Sequence, residues 1–230
     1  MRTTIRKSLA VGAVASLAMF SAACGTDEDS PTDAPEDTTS EEPTEGMDDP
    51  ATDEPMADPA ANLVGSGCAD YAEANPDGPA SVAGMAAEPV GTAASGNPLL
   101  KTLVAAVSGQ VNPKVDLVGA LNDETATYTV FAPVDSAFAK LDKATLTALA
   151  KEKSGKTLSS VLTYHVLTER VEPADLQGNY TALSGEDLKV SGEGDTIMVN
   201  GQSAVICGGV QTSNATVYLI DTVLMPPSMM

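Results

Sequence analysis

The chain has 230 residues, with 12 basic and 32 acidic side chains, a single histidine and a net charge of −20. A protein this acidic has no electrostatic footprint for nucleic acid. Once the N-terminal segments described below are set aside, about 168 residues remain, which is enough for one hydrophobic core.

Residues 1–23 have the three parts of an export signal. Arg2, Arg6 and Lys7 provide a basic start, an apolar run follows over 9–20, and small residues complete the segment. This order is typical of a signal peptide. Twelve apolar residues would span about 18 Å as a helix, against about 30 Å for the hydrocarbon core of a bilayer. The run is too short for a permanent anchor, and we interpret residues 1–23 as a cleaved signal.

Cys24 directly follows the small residues Ser21, Ala22 and Ala23. This stretch resembles the bacterial lipobox, in which the cysteine is diacylated and becomes the new N-terminus. The motif usually has leucine at the position that Ser21 occupies. The same small residues also allow ordinary signal cleavage after Ala23. We expect a lipid anchor on Cys24, with simple cleavage as the alternative.

Residues 24–62 form an acidic tether that begins with this cysteine. Between 25 and 62 there are 14 Asp or Glu and six Pro, but no Lys, Arg or aromatic residue. Such a segment repels itself and has too little apolar surface to offset chain entropy, so we expect disorder. At about 3.3 Å per residue it could hold a domain up to about 125 Å from a membrane. Its composition also permits O-glycosylation or the binding of cations and basic partners.

Lipidation of Cys24 would leave two cysteines, Cys68 and Cys207, at opposite ends of the domain over 63–230. An even pair in an exported protein favours a disulfide. Closing so long a loop would be worth about 5 kcal/mol in the chain-entropy description. The alternative is two free buried thiols. Two cysteines and one distant histidine are too few for a typical zinc site, and we expect neither a metal nor a cofactor.

The first half of the domain has helical periodicity. Apolar residues recur at helical spacing from Leu99 to Val107 after an Asn97-Pro98 cap, and another short helical turn is predicted over 116–121. A β-rich segment over 127–131 comes next. Three further helices are predicted, with these starts and ends: Asp135 as the cap of a helix to 141, Asp142 as the start of one to 152, and Thr157 as the cap of one to 164.

The second half changes to strand periodicity. Strands are predicted over 181–183, 188–191, 196–199, 204–207 and 216–223. Asn200-Gly201 is a strong signal for a tight hairpin. Helices followed by an antiparallel meander indicate an α+β domain.

Three blocks of this domain resemble the signature motifs of fasciclin domains. They occur in family order: TVFAPVDSAF at 129–138, LTYHV at 162–166 and ATVYLIDTVLMP at 215–226. The first block contains Phe131, Pro133, Asp135 and Phe138, and the last contains Asp221. From residue 63 to 228 the chain is also similar to the secreted and lipid-anchored fasciclin antigens of mycobacteria.

In the first block Val134 replaces the threonine that is usual in the family, which leaves Asp135 to cap the following helix. The resemblance implies a wedge-like fold with a β-sandwich core and helices packed on one side, centred on residues 95–228. It also implies adhesion, with the region of Tyr164 and His165 as the partner contact, because that region is implicated in integrin recognition in animal members. The family has no common catalytic machinery and requires no cofactor.

His165 is the only histidine of the chain and lies between apolar neighbours at a predicted helix-to-strand junction. A general base needs a nucleophile within hydrogen-bonding reach and a third group to orient it. The sequence has no nucleophile elbow and no glycine-rich phosphate loop. We therefore expect His165 to be a structural residue, with partner contact as the second interpretation.

Other polar residues have similar pairs of interpretations. The five tyrosines could form an exposed recognition set, although Tyr128 and Tyr218 lie in strand-like segments and are expected to pack. Asp135 and Asp221 could be paired carboxylates, but each falls where a turn needs a hydrogen-bond acceptor. The acidic residues over 186–195 lack the spacing of a known calcium loop and are expected to form a solvated face.

These observations predict a non-enzymatic adhesion lipoprotein on the outer face of the cytoplasmic membrane, with some protein shed. Its expected partner is a matrix or receptor protein, or a component of the envelope. The alternative is a carrier that binds an envelope lipid or small ligand in an apolar groove.

Overall fold

The computed structural model describes residues 58–230. The predicted signal peptide, the lipidation site at Cys24 and all but the last five residues of the 24–62 tether lie outside the described residues. The domain predicted over 63–230 lies within them.

Across residues 58–230, eight short helices and seven strands occur in the order predicted for an α+β protein. The helices are α1 Cys68–Ala74, α2 Val82–Ala86, α3 Val90–Gly96, α4 Lys101–Val107, α5 Val118–Leu121, α6 Asp135–Ala139, α7 Lys143–Lys151 and α8 Lys156–Tyr164. The strands are β1 Tyr128–Pro133, β2 Val166–Leu167, β3 Gly178–Thr181, β4 Asp187–Ser191, β5 Met198–Val199, β6 Ser203–Gln211 and β7 Ala215–Ile220. Helices α1 to α3 were not predicted, because they are short and rich in Ala and Gly, so their apolar spacing is weak.

The capping predictions had mixed outcomes. Asp142 caps α7 as predicted, since its carboxylate accepts a hydrogen bond of 2.8 Å from the Thr145 N–H. Thr157 does not cap α8. Gly155, with φ of +69°, holds that position, and the Glu152 carboxylate accepts the Thr157 N–H at 2.8 Å.

Asp135 also has a different role from the one predicted. Val134 is the residue before α6 and has extended backbone, so Asp135 is already helical and does not cap its own helix. Its carboxylate instead accepts the Thr102 N–H in the first turn of α4 at 2.8 Å, and its own N–H donates to the Leu99 carbonyl at 2.8 Å. Asp135 therefore ties α6 to the start of α4, 33 residues earlier in the chain.

The strands form one sheet in the order β2-β1-β7-β6-β5-β4-β3. Strands β3 to β7 are an antiparallel meander as predicted, and Asn200 and Gly201 form the β5–β6 hairpin with φ of +52° and +65°. Strand β1, however, pairs parallel with β7, which the sequence did not indicate. A bridge between Leu167 and Ala182 joins the two ends of the sheet order.

The sheet separates two apolar clusters. Along β1, Val130 and Ala132 belong to the cluster covered by the helices, whereas Phe131 belongs to the second cluster. Strand β7 alternates in the same way, and its Tyr218 ring lies 5.7 Å from that of Phe131, centroid to centroid. The second cluster also takes Leu188, Val190 and Val199 from the other half of the sheet. The two halves therefore pack on each other, which gives the predicted sandwich core from one continuous sheet with helices on its outer face.

Thr216 provides a test of this packing. Its side chain on β7 is buried, and its hydroxyl has no hydrogen-bond partner among the described residues. We expect Thr216→Val to raise the free energy of unfolding by about 1 kcal/mol, because valine has nearly the same shape and removes an unsatisfied buried hydroxyl. Urea unfolding of both proteins measures the difference. Thr129→Val is the contrasting control, because the Thr129 hydroxyl donates to the Glu169 carbonyl and accepts the Val171 N–H, and its loss should destabilise the domain.

Candidate functional site

The Tyr164-His165 pair lies at the end of α8, between the two apolar clusters. Leu158, Val161 and Leu162 of this helix pack in the helix-side cluster, and the Tyr164 ring packs in the second one. His165 ends the helix, and its carbonyl accepts the Phe131 N–H at 2.9 Å. The motif therefore joins α8 to β1.

His165 uses both of its ring nitrogens within the fold. Its side chain is 3% exposed. Nδ1 lies 2.7 Å from the Val161 carbonyl, and Nε2 accepts the Leu224 N–H at 3.0 Å. Because the Leu224 N–H can only donate, the ring is neutral with its proton on Nδ1, and neither nitrogen is free to act as a base or a ligand. Burial lowers the pKa of His165 to about 4, although the bond to Val161 opposes this shift.

Tyr164 is fully buried, at 0% exposure. Its hydroxyl donates to the Asp187 carbonyl at 2.8 Å and accepts from Asn200 Nδ2 at 2.8 Å. Burial raises the pKa of Tyr164, the Asn200 bond opposes this, and the nearby charges of Glu186 and Asp187 raise it further. The fold closes over both side chains, so neither is at the surface of the domain, and contact of Tyr164 and His165 with a partner stays a prediction.

The tyrosines do not form an exposed recognition set either. Tyr71 and Tyr218 are buried, and Tyr128 and Tyr180 are half-buried. The Tyr71 hydroxyl donates to the Ala80 carbonyl, and burial raises the pKa of Tyr71 to about 12 despite a hydrogen bond from Asn97. These tyrosines therefore contribute to the packing and hydrogen bonding of the fold.

Tyr164→Phe tests the structural role of this hydroxyl. We expect the free energy of unfolding to fall by about 1–3 kcal/mol, because the Asp187 carbonyl and the Asn200 amide each lose a buried partner. Chemical denaturation measures the loss. Tyr180→Phe is the matched control, since the half-buried Tyr180 hydroxyl makes one bond, to the Asp175 carbonyl. An equal loss in both variants would contradict the assigned role.

The carboxylates of the other motif residues act separately. Asp221 accepts the Ala204 N–H and binds Lys140 Nζ, each at 2.8 Å. Burial would raise the pKa of Asp221, but the hydrogen bonds from Lys140, Ala204 and Thr222 outweigh it, and the pKa is lowered. Asp135 binds α4 as described above, so the two acids are not paired. Pro133 is buried and Phe138 is half-buried against the helix-side cluster, which are packing roles.

The acidic residues over 186–195 do not converge on one point. The Glu186 carboxylate accepts the N–H and hydroxyl of Ser228. Within residues 58–230, no group of three or more His, Cys, Asp or Glu side chains is placed to hold a metal ion. Across the same residues, no helix has the length and hydropathy needed to cross a membrane.

A narrow apolar cleft of about 60 Å³ lies between the helices and the sheet. Leu103 and Val107 of α4 form one wall, and Leu162, His165 and Val166 form another. Around its opening, several apolar side chains remain partly exposed: Val104, Leu117, Leu121, Tyr128 and Leu183. Leu183 is 47% exposed. The sequence predicted Leu183 as the last residue of a strand over 181–183, whereas β3 ends at Thr181 and Leu183 lies beyond it at the opening.

Cys68 and Cys207 form a disulfide, with their Cα atoms 4.7 Å apart. It joins the start of α1 to the buried centre of β6.

Asn214 is a buried polar residue that the sequence did not single out. Its side chain accepts the Val90 N–H and donates to the carbonyls of Leu121 and Asp123, which ties the segment before β7 to the start of α3 and the end of α5. The sequence signal that could have indicated this role is an isolated Asn directly before an apolar strand.

The folded sheet, its one-sided helix layer and its buried motif residues define the class of fasciclin-type α+β domains. The fold resembles that of a FAS1 domain pair from the insect cell adhesion molecule fasciclin I, with a TM-score of 0.53 and 16% identity. The match covers 63% of this chain and 53% of that chain.

The fasciclin domain family matches residues 98–226, and the chain belongs to this family. It is 56% identical over 173 residues to the cell surface glycolipoprotein MPT83 of Mycobacterium tuberculosis, covering 75% of this chain and 76% of that protein. It is 53% identical over 169 residues to the immunogenic protein MPT70 of the same species, covering 74% and 85%. The protein sll1483 of Synechocystis is 38% identical over 135 residues, covering 58% and 71%.

Proposed function

We propose that this protein is a non-catalytic adhesion lipoprotein, exported by residues 1–23 and held at the cell surface through Cys24. The observation that carries the proposal is its 56% identity to a protein named as a cell surface glycolipoprotein. The name of the insect cell adhesion molecule adds support for the adhesive role. The tether over 24–62 would hold the domain away from the membrane.

The chemistry of the motif residues supports a binding role rather than catalysis. His165, the only histidine, has both nitrogens bonded to the backbone, and Asp135 and Asp221 are used to join segments of the fold. These side chains stabilise the domain from within, so we assign binding to other residues, at its surface. The apolar opening around Leu183 is the surface we assign to a matrix, receptor or envelope partner, because Leu183 is exposed beside half-buried apolar side chains and accessible apolar surface of this kind can mark interaction sites.

A capture experiment with the mature chain tests the proposal. The protein is immobilised and exposed separately to matrix proteins and to envelope extract, and bound components are identified by mass spectrometry. We expect Leu183→Asp to weaken capture at least tenfold, because a charge at the opening would have to be desolvated on binding. Leu99→Asp is the matched control, since Leu99 is 41% exposed and does not line the cleft. Equal binding by both variants would show that the opening is not the contact.

The intact mass of the mature protein tests the anchor. We expect Cys24 as the first residue, carrying acyl chains. An unmodified N-terminus in all of the protein would contradict the lipid anchor while leaving the adhesive role open to the capture experiment.

The carrier function is the second candidate, and the apolar lining of the cleft favours it. Its volume of about 60 Å³ is nevertheless well below the roughly 300 Å³ at which ligand pockets begin. A carrier that used this cleft would therefore need the cleft to widen. Native mass spectrometry of the protein as purified decides between the two, because a carrier would retain a lipid of defined mass.

A further inference from the structure

We use the name lysine strip for five lysines of this acidic domain that lie on α7, on α8, in the turn between them or beside that turn: Lys114, Lys143, Lys151, Lys153 and Lys156. The last four lie close together in the chain, on α7, on α8 and in the turn between them. Lys143 and Lys151 are at opposite ends of α7, about 12 Å apart along the helix. The domain over 63–230 has nine basic and 18 acidic residues, so more than half of its positive charge lies in this strip.

The strip lysines are exposed, and none has a carboxylate partner within residues 58–230. In that part of the chain, the ion pair between Lys140 and Asp221 is the only one within 4.0 Å. Of the two acids within the strip, Asp142 caps α7, and Glu152 accepts the Thr157 N–H and the Ser154 hydroxyl and is near enough to Lys156 for their charges to attract. Because no carboxylate of residues 58–230 lies within 4.0 Å of a strip lysine, the ammonium groups remain available to an external anion.

The turn between α7 and α8 adds a polar concavity to the strip. It is lined by Lys114 and Lys156 together with Gly155 and the serines Ser154, Ser159 and Ser160. Asn112 Nδ2 donates to the Glu152 carbonyl at 2.7 Å, which holds the Lys114 loop against this turn. Lysines from two separate parts of the chain thus face one concavity that Ser159 and Ser160 also line, whereas the Ser154 hydroxyl donates to the Glu152 carboxylate.

We infer that the lysine strip binds a sulfated linear polysaccharide. This inference rests on the proposed adhesive function and names one class of partner for it. Ammonium groups bind sulfate and phosphate oxyanions as point charges, and serine hydroxyls can donate to their oxygens. Lysines at both ends of α7, in the following turn and at the start of α8 are too far apart for one small ion to reach all of them, and they suit a chain that carries repeated anionic groups.

The surrounding charge favours a narrow chain over an anionic membrane surface. Outside the strip, acidic residues of the domain outnumber basic ones several-fold, and a flat anionic surface would also meet these acids. A single polysaccharide chain can follow the strip and avoid most of them. Binding should therefore depend on the strip and on sulfate rather than on overall charge.

Titration of the mature chain with heparin, as the sulfated probe, tests the inference by calorimetry. We expect saturable binding at about 0.15 M salt and a fall in log K of about 3 per tenfold rise in salt, from about four neutralised anionic groups. Lys153→Glu with Lys156→Glu should weaken binding more than tenfold and reduce that salt slope. Lys101→Glu with Lys189→Glu is the matched control, because these exposed lysines lie outside the strip, and its affinity should change less than threefold.

Three outcomes would overturn the inference: heparin does not bind, the two double variants lose affinity equally, or hyaluronan, which has carboxylates but no sulfates, binds as well as heparin. Binding to vesicles of anionic phospholipid without binding to heparin would assign the strip to a membrane instead. If heparin does not bind while capture of a partner still depends on Leu183, the adhesive function stands and the polysaccharide proposal alone fails.

Discussion

Replacing both Cys68 and Cys207 by alanine is expected to lower the free energy of unfolding by about 4–5 kcal/mol. The bond joins residues 139 apart, and the unfolded chain regains the freedom of that whole loop when the bond is removed. For a domain of this size the melting temperature should fall by about 10 °C or more. Thermal unfolding followed by circular dichroism measures the change.

The matched control for this prediction is Cys24→Ser in the chain without its signal. That variant keeps the disulfide, and its melting temperature should equal that of the parent. Because Cys207 is fully buried, we also expect the native protein to resist reduction until it unfolds. Two cysteines that alkylate readily in the native state without reductant would contradict the bond itself.

The second large effect is a loss of stability on mild acidification. The pKa of His165 is about 4 in the folded protein, below its ordinary value of 6.5. Between these values the unfolded chain binds the proton and the folded one does not, so stability rises with pH through this window. The contribution is fully present above pH 6.5 and is lost as the pH falls towards 4. From pH 7 to pH 5 the free energy of unfolding should fall by about 2 kcal/mol, and below pH 4 the total loss approaches about 3 kcal/mol.

This pH dependence can be assigned to one residue, because His165 is the only histidine of the chain. Carboxylates such as Asp142 and Asp221 have lowered pKa values and titrate below this window. We expect His165→Gln to be less stable at pH 7, since it loses the bonded ring, and to show a flat stability between pH 5 and 7. Urea unfolding at several pH values measures both. A wild-type slope that persists in the variant would show that another group is responsible.

The α+β order and several local features could be predicted because they depend on nearby residues. The β5–β6 hairpin follows from Asn200 and Gly201, which both adopt positive φ, and the Asp142 cap needs only the N–H of Thr145. The motif blocks also identified the family. Local patterns were weaker for α1 to α3, whose positions depend on packing: Tyr71 and Met85, for example, are buried against each other.

The candidate site was harder to predict because its contacts join distant segments. The sequence could not indicate that Tyr164 bonds to Asp187 and Asn200, or that the Asp135 carboxylate reaches α4. Tyr164 and His165 matched a motif, but a motif shows which residues occur together and not which of them reach the surface. Their burial follows from the packing of the end of α8 between β1 and the half of the sheet that contains β4 and β5.

The sequence by itself predicted a division of the chain into signal, acidic tether and domain, because charge and apolar composition are properties of contiguous residues. It also determined the family, through three motifs in order, and the even pair of cysteines. The tertiary structure decided which motif side chains are buried, that β1 pairs parallel with β7, and that Lys114 joins the lysines of α7 and α8. The physical reason is that burial and pairing depend on contacts between segments far apart in the chain. Those contacts form only when the two apolar clusters close around the sheet.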